Sequence, residues 1–551
     1  MTAQKSDFIP DPIQQGIARG WRIVDAARIE TDQTLEADVV IVGSGAGGGV
    51  TAEILALAGL KVVIVEEGAL RSSNDFKMRE ADAYPALYQE SAARQTLDKG
   101  IKILQGRTVG GSTTVNWTSS FRTPGPTLDY WRGEFGLMDY DSETLAPWFA
   151  MMEARLNVSD WHAPPNENND LLRRGLDKLG IKAGTIRRNV NGCWNLGYCG
   201  MGCPTNAKQS MLVTTIPSAL EHGATLVTRA RAERFVLRGE QVDELLCSAL
   251  GEDGVAPTGH LLRLRAKHFV VAGGAINSPA LLLRSGAPDP DKLLGKRTFL
   301  HPTLISAGIF PQRVDAWAGA PQTIYSDHFL HTGAIDGPIG YKLEAPPLHP
   351  VLLSTTLNGF GAGHAALMRQ FPHMQGMLAL LRDGFHPASS GGAVQLKDGA
   401  GVLDYPLNDF LWDGARRALL SMAEIQFAAG ARSVQPAHET ARSYTSWDEA
   451  KREIAALPQR LHMTRVASAH VMGGCTMAGD ARRGVTTPSG RYRGLNNLSV
   501  HDGSLFPTSI GANPQLSIYG ITARLASGLA QDLTGKPAPR VSAPATTAAA
   551  A

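Results

Sequence analysis

The stretch Ala37-Asp38-Val39-Val40-Ile41-Val42-Gly43-Ser44-Gly45-Ala46-Gly47-Gly48-Gly49 decides the fold of this chain. The β-branched run before Gly43 is typical of a buried parallel strand. A helical stretch rich in Ala and Leu covers 50–60, and the apolar run 61–65 predicts a second buried strand ending at Glu66. Strand, helix and strand together predict one βαβ unit of about thirty residues.

Gly43, Gly45 and Gly48 form a G-x-G-x-x-G fingerprint between that first strand and its helix. The first glycine permits the tight turn, the second lets a pyrophosphate approach the backbone, and the third lets the helix pack close to the strand. The helix N-terminus offers free N–H groups to phosphates. A carboxylate at Glu66, about twenty residues on, suits an adenosine ribose. The pattern predicts a dinucleotide site, without distinguishing FAD from NAD.

The amino-acid composition limits which partners this protein is expected to bind and in which compartment it is expected to work. The 551-residue chain has a formal net charge of +2, which argues against nucleic acid as a partner. Five cysteines do not make a disulfide framework. No apolar run approaches the roughly 18 residues of a membrane span, and the N-terminus lacks the apolar region of a secretory signal. We therefore expect a cytoplasmic protein, with peripheral membrane contact through an amphipathic N-terminal arm as an alternative.

Further motifs resemble the signatures of the glucose–methanol–choline (GMC) oxidoreductase family. They follow one another in the family's order and are Gly106–Trp117 (GRTVGGSTTVNW), Gly274–Gly286 (GAINSPALLLRSG), Ala469–Cys475 (AHVMGGC), His501–Pro507 (HDGSLFP) and Gly511–Pro514 (GANP). The resemblance implies an FAD enzyme that oxidises a CH–OH group. It covers about residues 37 to 532, with a weak middle.

The resemblance also implies which residues hold the flavin. Besides the glycine fingerprint and Glu66, these are Arg107, Gly110, Gly111, Ser112, Asn116, Asp502 and Gly503. Some family members bind flavin covalently through a His in the first signature. The matching position here is Val115, which cannot form that bond, so we expect non-covalent FAD.

His470 and Asn513 are the catalytic pair that the resemblance implies. Oxidising an alcohol removes a proton from the hydroxyl and a hydride from the carbon, and an imidazole is suited to accept the proton. An amide donates a hydrogen bond to the developing alkoxide without competing for that proton. His301, in a His-Pro pair near the family's domain junction, is expected to be structural.

Cys193, Cys199 and Cys203 lie within eleven residues. Their spacing resembles that of a three-iron cluster in some FAD-dependent sugar dehydrogenases of the family. The flanking residues 203–210 are more similar to the long-chain alcohol oxidase branch, for which no cluster is implied. Structural thiols, an iron–sulfur cluster, and a zinc site or disulfide therefore stay open, and no metal ligand is assigned.

The predicted fold class is α/β, a Rossmann-like FAD-binding domain with a discontinuous α+β substrate-binding domain. We expect an N-terminal arm at 1–34, the main FAD-binding part at 35–299 with a cysteine-rich loop near 190–205, and the substrate-binding domain at 300–464. The chain then returns to the FAD domain at 465–535 and ends in a disordered tail at 536–551.

Three functions stay open at this level. A similarity to the long-chain alcohol oxidase branch around residue 427 favours an alcohol dehydrogenase or oxidase for hydrophobic primary alcohols. Met368, Phe371, Met374 and Met377 fit either an apolar pocket or a core helix. The alternatives are a sugar dehydrogenase with a three-iron cluster and a non-catalytic nucleotide-binding redox partner protein. Dioxygen, a quinone and a cytochrome all stay open as electron acceptor.

Overall fold

The computed structural model describes residues 9–542. Its strands, in chain order, are β1 (Arg22–Asp25), β2 (Gln33–Val42), β3 (Val62–Val65), β4 (Ile101–Ile103), β5 (Val158–Ser159), β6 (Gly184–Thr185), β7 (Arg188–Asn189), β8 (Thr225–Thr228), β9 (Ala230–Arg238), β10 (Gln241–Leu250), β11 (Pro257–Val271), β12 (Lys296–Phe299), β13 (Thr303–Ile309), β14 (Ile324–Ser326), β15 (Tyr341–Glu344), β16 (Met374–Leu381), β17 (Gly392–Lys397), β18 (Ala400–Asp404), β19 (Ser433–Pro436), β20 (Val466–Ser468), β21 (Met472–Gly473) and β22 (Leu498–Val500).

Short helical turns aside, the helices are α1 (Pro12–Ala18), α2 (Ala46–Leu57), α3 (Glu80–Leu87), α4 (Ser112–Val115), α5 (Gly125–Phe135), α6 (Ser142–Arg155), α7 (Glu167–Lys178), α8 (Thr215–Glu221), α9 (Gly274–Arg284), α10 (Pro350–Thr356), α11 (Gly361–Met368), α12 (Asp409–Ala428), α13 (Trp447–Ala456) and α14 (Gln515–Thr534).

An eight-stranded sheet carries the predicted βαβ unit. Its order is β1-β8-β3-β2-β11-β10-β9, with β22 pairing β11. β2 is parallel to both β3 and β11, and these apolar strands are buried where helices cover the sheet. The predicted strands before Gly43 and before Glu66 are confirmed. The predicted Rossmann-like α/β fold is therefore correct.

The predicted N-terminal arm is described from residue 9, and the predicted tail as far as residue 542. Part of the predicted arm joins the sheet, because β1 pairs in parallel with β8 at its edge. The Asp11 carboxylate accepts hydrogen bonds from the N–H groups that open α1. The predicted disordered tail, 536–551, lies mostly outside the described residues.

A second eight-stranded sheet, almost entirely antiparallel, runs β4-β20-β13-β16-β15-β14-β6, with β19 pairing β13. The long helix α12 packs on this sheet and buries Leu419 and Met422. Three of the strands, β4, β6 and β20, come from outside the predicted substrate-binding segment 300–464. The predicted domain boundaries stay predictions.

Met374 and Met377 lie in strand β16 rather than in the alternative core helix, whereas Met368 ends α11. Side chains alternate between the two faces of β16, so Met377 and Ala379 enter the core behind the sheet while Leu378 and Leu380 face the opposite side. Met374 is also fully buried. The leucines, and not the methionines, line the large cavity described below.

None of the helices within residues 9–542 combines the length and apolar character that crossing a membrane demands.

Candidate functional site

The glycine fingerprint builds an open turn at the N-terminus of α2. Gly43 has φ +100°, a conformation that favours glycine, and a Cβ at Gly48 would lie 1.9 Å from the Gly43 carbonyl oxygen. Gly45 caps the helix without a side chain, and a Cβ there would meet no atom closer than 3.9 Å. The first-turn N–H groups of α2 therefore face open space, which fits the pyrophosphate of a dinucleotide.

Glu66 lies at the end of β3, beside this turn. Its carboxylate accepts hydrogen bonds from the Ser44 N–H at 3.0 Å, the Ser44 hydroxyl and the Gly68 N–H at 2.8 Å. Burial raises the pKa of the Glu66 carboxyl. A carboxylate has about four lone-pair sites, so Glu66 keeps capacity for a ribose hydroxyl.

One cavity of about 750 Å³ runs from the glycine turn to the second sheet. It brings together most of the residues that the sequence singles out. Those that line it are Gly43, Gly45, Glu66, Gly111, Ser112, Asn116, His470, Asp502, Gly503 and Asn513.

Three predicted cofactor residues do not line this cavity. Gly48 lies behind the turn, where its role is the close packing of helix and strand. Gly110 has φ +86° and donates its N–H to the Ser44 hydroxyl. The Arg107 guanidinium pairs with Glu67 at 3.1 Å, and Glu67 is the member of that pair that reaches the cavity. The assignment of these three to the cofactor stays a prediction.

Asp502 uses both carboxylate oxygens within the protein. One accepts from the Gly274 N–H at 2.8 Å and from the Ser278 hydroxyl, and the other accepts from the N–H and hydroxyl of Ser504. Asp502 therefore fixes the start of α9 and the Gly503 turn against each other at the cavity wall.

His470 follows β20 and lines the cavity. Its backbone N–H donates to the Ser468 hydroxyl at 3.2 Å. Burial lowers the pKa of the imidazole to about 4, so the ring is neutral near pH 7. A neutral imidazole has one nitrogen lone pair with which to accept a proton.

His301 contacts His470 directly, with 3.1 Å between the two Nδ1 atoms. His301 is fully buried, and burial holds its pKa well below the ordinary value for histidine. The expectation of a purely structural His301 did not anticipate this contact. Sequence separation hid it, because the two residues lie 169 positions apart.

Asn513 lies in the loop before α14, on the wall of the same cavity. Its Nδ2 donates to Glu344 Oε2 at 3.2 Å, and the Gln322 amide donates to the same oxygen at 2.5 Å. Burial raises the pKa of Glu344, although nearby Lys342, two positions away on β15, opposes that shift. Glu344 fixes which end of the Asn513 amide points toward it.

Asn116 and Lys208 hold the loop that carries the first signature. The Asn116 amide donates to Gln515 at 2.5 Å, which joins this loop to the start of α14. The Lys208 ammonium donates to the carbonyl oxygens of Thr114, Asn116 and Cys199, at 2.6 to 2.8 Å. Burial lowers the pKa of Lys208 to about 8.

The three clustered cysteines are free thiols, and each contacts another protein group. Cys193 Sγ accepts from the Asn195 N–H and Cys203 Sγ from the Lys208 N–H, both at 3.4 Å. Cys199 Sγ lies 3.8 Å from the Arg188 guanidinium. Within residues 9–542, no group of three or more His, Cys, Asp or Glu side chains is arranged to hold a metal ion. Nothing in the arrangement of the described residues supports the iron–sulfur alternative.

Several residues at the site were not predicted from the sequence. Ser44, Glu67, Gln322, Glu344 and Gln515 belong to this group, as does His301. Ser44 and Gln515 directly adjoin predicted motifs, and that proximity was a usable signal. Gln322 and Glu344 lie in the weakly patterned middle of the chain, where no motif marks them.

Comparison with known protein families gives two matches to this chain. A family model described as GMC oxidoreductase matches residues 84–303, and a second with the same description matches residues 387–522. Together they cover more than half of the chain.

Individual relatives and solved structures agree with these matches. An uncharacterised GMC-type oxidoreductase of Mycobacterium tuberculosis is 32% identical over 93% of this chain and 80% of its own length. A long-chain-alcohol oxidase of Arabidopsis thaliana is 27% identical over 93% of this chain and 69% of its own length. The crystal structure of pyridoxine 4-oxidase from "Mesorbium loti" has the same fold, with a TM-score of 0.66 and 19% identity, over 89% of this chain and 98% of that one.

Proposed function

The chain belongs to the GMC oxidoreductase family and is an FAD-dependent oxidoreductase acting on CH–OH donors; from that premise we propose that it oxidises hydrophobic primary alcohols, aliphatic or aromatic, to aldehydes. The observation that carries the proposal is one shared cavity. His470 and Asn513 line the same space as the glycine turn and Glu66, and that space continues into an apolar pocket.

His470 is the general base of the proposed reaction. Among the described residues the His470 ring bonds only to His301, through Nδ1, and the ring lines the cavity, so Nε2 is available to the substrate hydroxyl. The ring is neutral at pH 7 and can accept the hydroxyl proton. FAD, when bound, accepts the hydride from the substrate carbon.

Asn513 orients the substrate oxygen beside His470. With one Nδ2 hydrogen directed to Glu344, the amide retains a second N–H for the alcohol or alkoxide oxygen. A fixed donor of this kind stabilises negative charge as the proton leaves. Holding hydroxyl and base together can supply much of the rate.

The chemistry of the cavity wall supports an apolar substrate. Beyond the polar pair, the wall includes six aliphatic side chains, which are Ile305, Leu348, Leu352, Leu353, Leu378 and Leu380. Such a surface favours alkyl or aryl groups and leaves most hydroxyls of a sugar without partners. The relative named long-chain-alcohol oxidase supports the same choice.

FAD is proposed to bind without a covalent link. The uncapped N–H groups of α2 fit its pyrophosphate, and Glu66 fits its adenosine ribose. Val115, which lines the cavity in the first signature, carries no nucleophilic atom. Denaturation with acid or heat is expected to release all of the flavin into the supernatant.

The direct test is anaerobic reduction of the purified yellow holoenzyme by a panel of alcohols in a stopped-flow instrument. Long-chain and aryl primary alcohols are expected to bleach the flavin, whereas glucose does so much more slowly. Faster reduction by sugars than by alcohols would overturn the proposed substrate class.

His470→Ala is expected to retain FAD and to lose at least about a hundredfold in the rate of flavin reduction, since general base catalysis contributes roughly 10² to 10⁴. His438→Ala is the matched control, because His438 is buried but does not line the cavity. A normal reduction rate in His470→Ala would refute the assignment of the base.

A further inference from the structure

The contact between His301 and His470 forces a choice of proton position. The two Nδ1 atoms lie 3.1 Å apart, with the ring centroids at 5.3 Å. Two neutral imidazoles at this distance share one hydrogen bond, so one Nδ1 carries the proton and the other accepts it. That choice fixes the tautomer of both rings.

We propose that His301 is a positioning residue for catalysis, which accepts a hydrogen bond from His470 Nδ1–H and thereby keeps the lone pair of His470 on Nε2, toward the substrate. This inference rests on the proposed function, in which His470 is the base.

The opposite arrangement is incompatible with a base at His470. If His301 donated, neutral His470 would carry its proton on Nε2 and could only donate to the alcohol. In the proposed arrangement the alcohol O–H bond breaks and a His470 Nε2–H bond forms, while the hydride leaves the carbon for FAD. The resulting imidazolium already has an acceptor for its Nδ1–H. No rearrangement of either ring is required.

His301 is able to act as the acceptor in this contact. His301 is fully buried, and burial keeps its imidazole neutral, so that a lone pair remains. Its Nε2 has no hydrogen-bond partner among the described residues. When its Nδ1 accepts, His301 carries its proton on Nε2, and this N–H is buried without an acceptor. An apolar side chain would avoid the resulting loss of stability. Retaining such a cost beside a reacting group is typical of functional sites.

The backbone at His301 is also held in an uncommon conformation. Its φ is +50°, in the left-handed region, which is unusual for a non-glycine residue. The Asp383 carboxylate accepts from the N–H groups of Leu300 and His301, each at 3.1 Å, and from the Tyr405 hydroxyl at 2.6 Å. This buried carboxylate therefore fixes the turn that presents His301 to His470.

Besides the contact between the two rings, the Ser468 hydroxyl links the segment before His301 to the segment of His470. Its hydroxyl donates to the Leu300 carbonyl oxygen and accepts from the His470 N–H. Ser468 thus bonds the backbone of His470 directly and the peptide that precedes His301, which sets the spacing of the two segments.

The test compares His301→Leu, which has no acceptor, with His301→Asn, whose Oδ1 can reach the place of Nδ1. In anaerobic stopped-flow, H301L is expected to lower the limiting rate of flavin reduction about tenfold to a hundredfold, the range for a lost hydrogen bond to a charged group. The apparent Kd for the alcohol is expected to change less than twofold. H301N is expected to recover most of the rate.

Two further variants complete the experiment. H301L added to H470A is expected to slow reduction no further, because His301 acts through His470. His438→Leu is the control for loss of a buried histidine away from the cavity, and its reduction rate is expected to match the parent enzyme. H301A serves as the acceptor-free variant if H301L does not retain FAD.

Equal reduction rates in the acceptor-free variant and in H301N would overturn the positioning role. The role would also be overturned if the acceptor-free variant reduced the flavin at the parental rate while H470A was slow. Rapid reduction in H470A itself would instead refute the proposed base. The two failures are therefore distinguishable.

Discussion

His470 combines burial with a neutral partner, and this combination sets its chemistry. Burial disfavours the imidazolium and lowers the pKa of the ring to about 4. The group in contact is another neutral imidazole and not a carboxylate, so no negative charge at that contact opposes the shift. The free enzyme therefore holds His470, the proposed base, in the proton-accepting form over a wide range of pH.

The first prediction concerns the pH dependence of kcat/KM. Because only neutral His470 accepts a proton, the fall in rate that belongs to His470 is expected as the pH drops through about 4. The measurement is kcat/KM for a slowly reacting alcohol, with the flavin spectrum recorded at each pH to confirm that FAD stays bound. A fall centred near pH 6.5, the ordinary pKa of histidine, would contradict it.

At the scale of elements, the turn between β2 and α2 assigns different roles to neighbouring glycines. Gly48 has no room for a side chain, because α2 packs directly on the turn at Gly43. Gly45 has a φ of −71° and open space beside it, so the fold does not require a glycine there, and we expect its missing side chain to matter to the ligand.

These roles predict opposite outcomes for two similar substitutions. Gly48→Ala is expected to lower the melting temperature of the apoprotein by several degrees, because its Cβ would lie 1.9 Å from the Gly43 carbonyl oxygen. Gly45→Ala is expected to leave that temperature nearly unchanged and to weaken FAD binding at least about tenfold, since the methyl group occupies the approach of the pyrophosphate. Thermal denaturation and flavin fluorescence titration measure the two effects.

Gly528→Ala is the matched control for both variants. Gly528 lies in α14, and a Cβ there would meet no atom within 4 Å. This change is expected to stabilise the helix slightly and to leave FAD affinity unaltered. If Gly45→Ala bound FAD like the parent protein, the proposed place of the pyrophosphate would be wrong.

At the scale of the whole molecule, the cavity exists only because the two large sheets flank it. The first sheet supplies the glycine turn and Glu66, and the second supplies Leu378, Leu380 and the approach to His470. The polar end and the apolar end of the cavity thus come from different sheets. In the proposed function the alcohol hydroxyl lies beside His470 and Asn513, and the alkyl tail lies against the leucines of the second sheet.

This division predicts how activity depends on chain length. Each methylene buried against the aliphatic wall is worth about 0.8 kcal/mol, so kcat/KM is expected to rise about fourfold per carbon along a series of primary alcohols until the cavity is filled. Steady-state rates with alcohols from C4 upward measure the slope. A series without any rise would contradict an apolar substrate site.

The sequence by itself determined the βαβ unit and the family. Buried strands, a glycine turn and an acidic residue follow one another within thirty positions, and local pattern is enough to predict them because their contacts are local. The resemblance likewise indicated His470 and Asn513, whose shared cavity agrees with their proposed roles. Their catalytic assignment stays a prediction.

Only the tertiary structure decided which other groups stand beside that pair. His301 meets His470 across 169 positions, and Glu344 meets Asn513 across the same number. Strand alternation in β16 turned leucines toward the cavity and a methionine into the core. Contacts of this kind depend on how strands far apart in the sequence pack together. Local periodicity does not predict which distant strand a side chain will face.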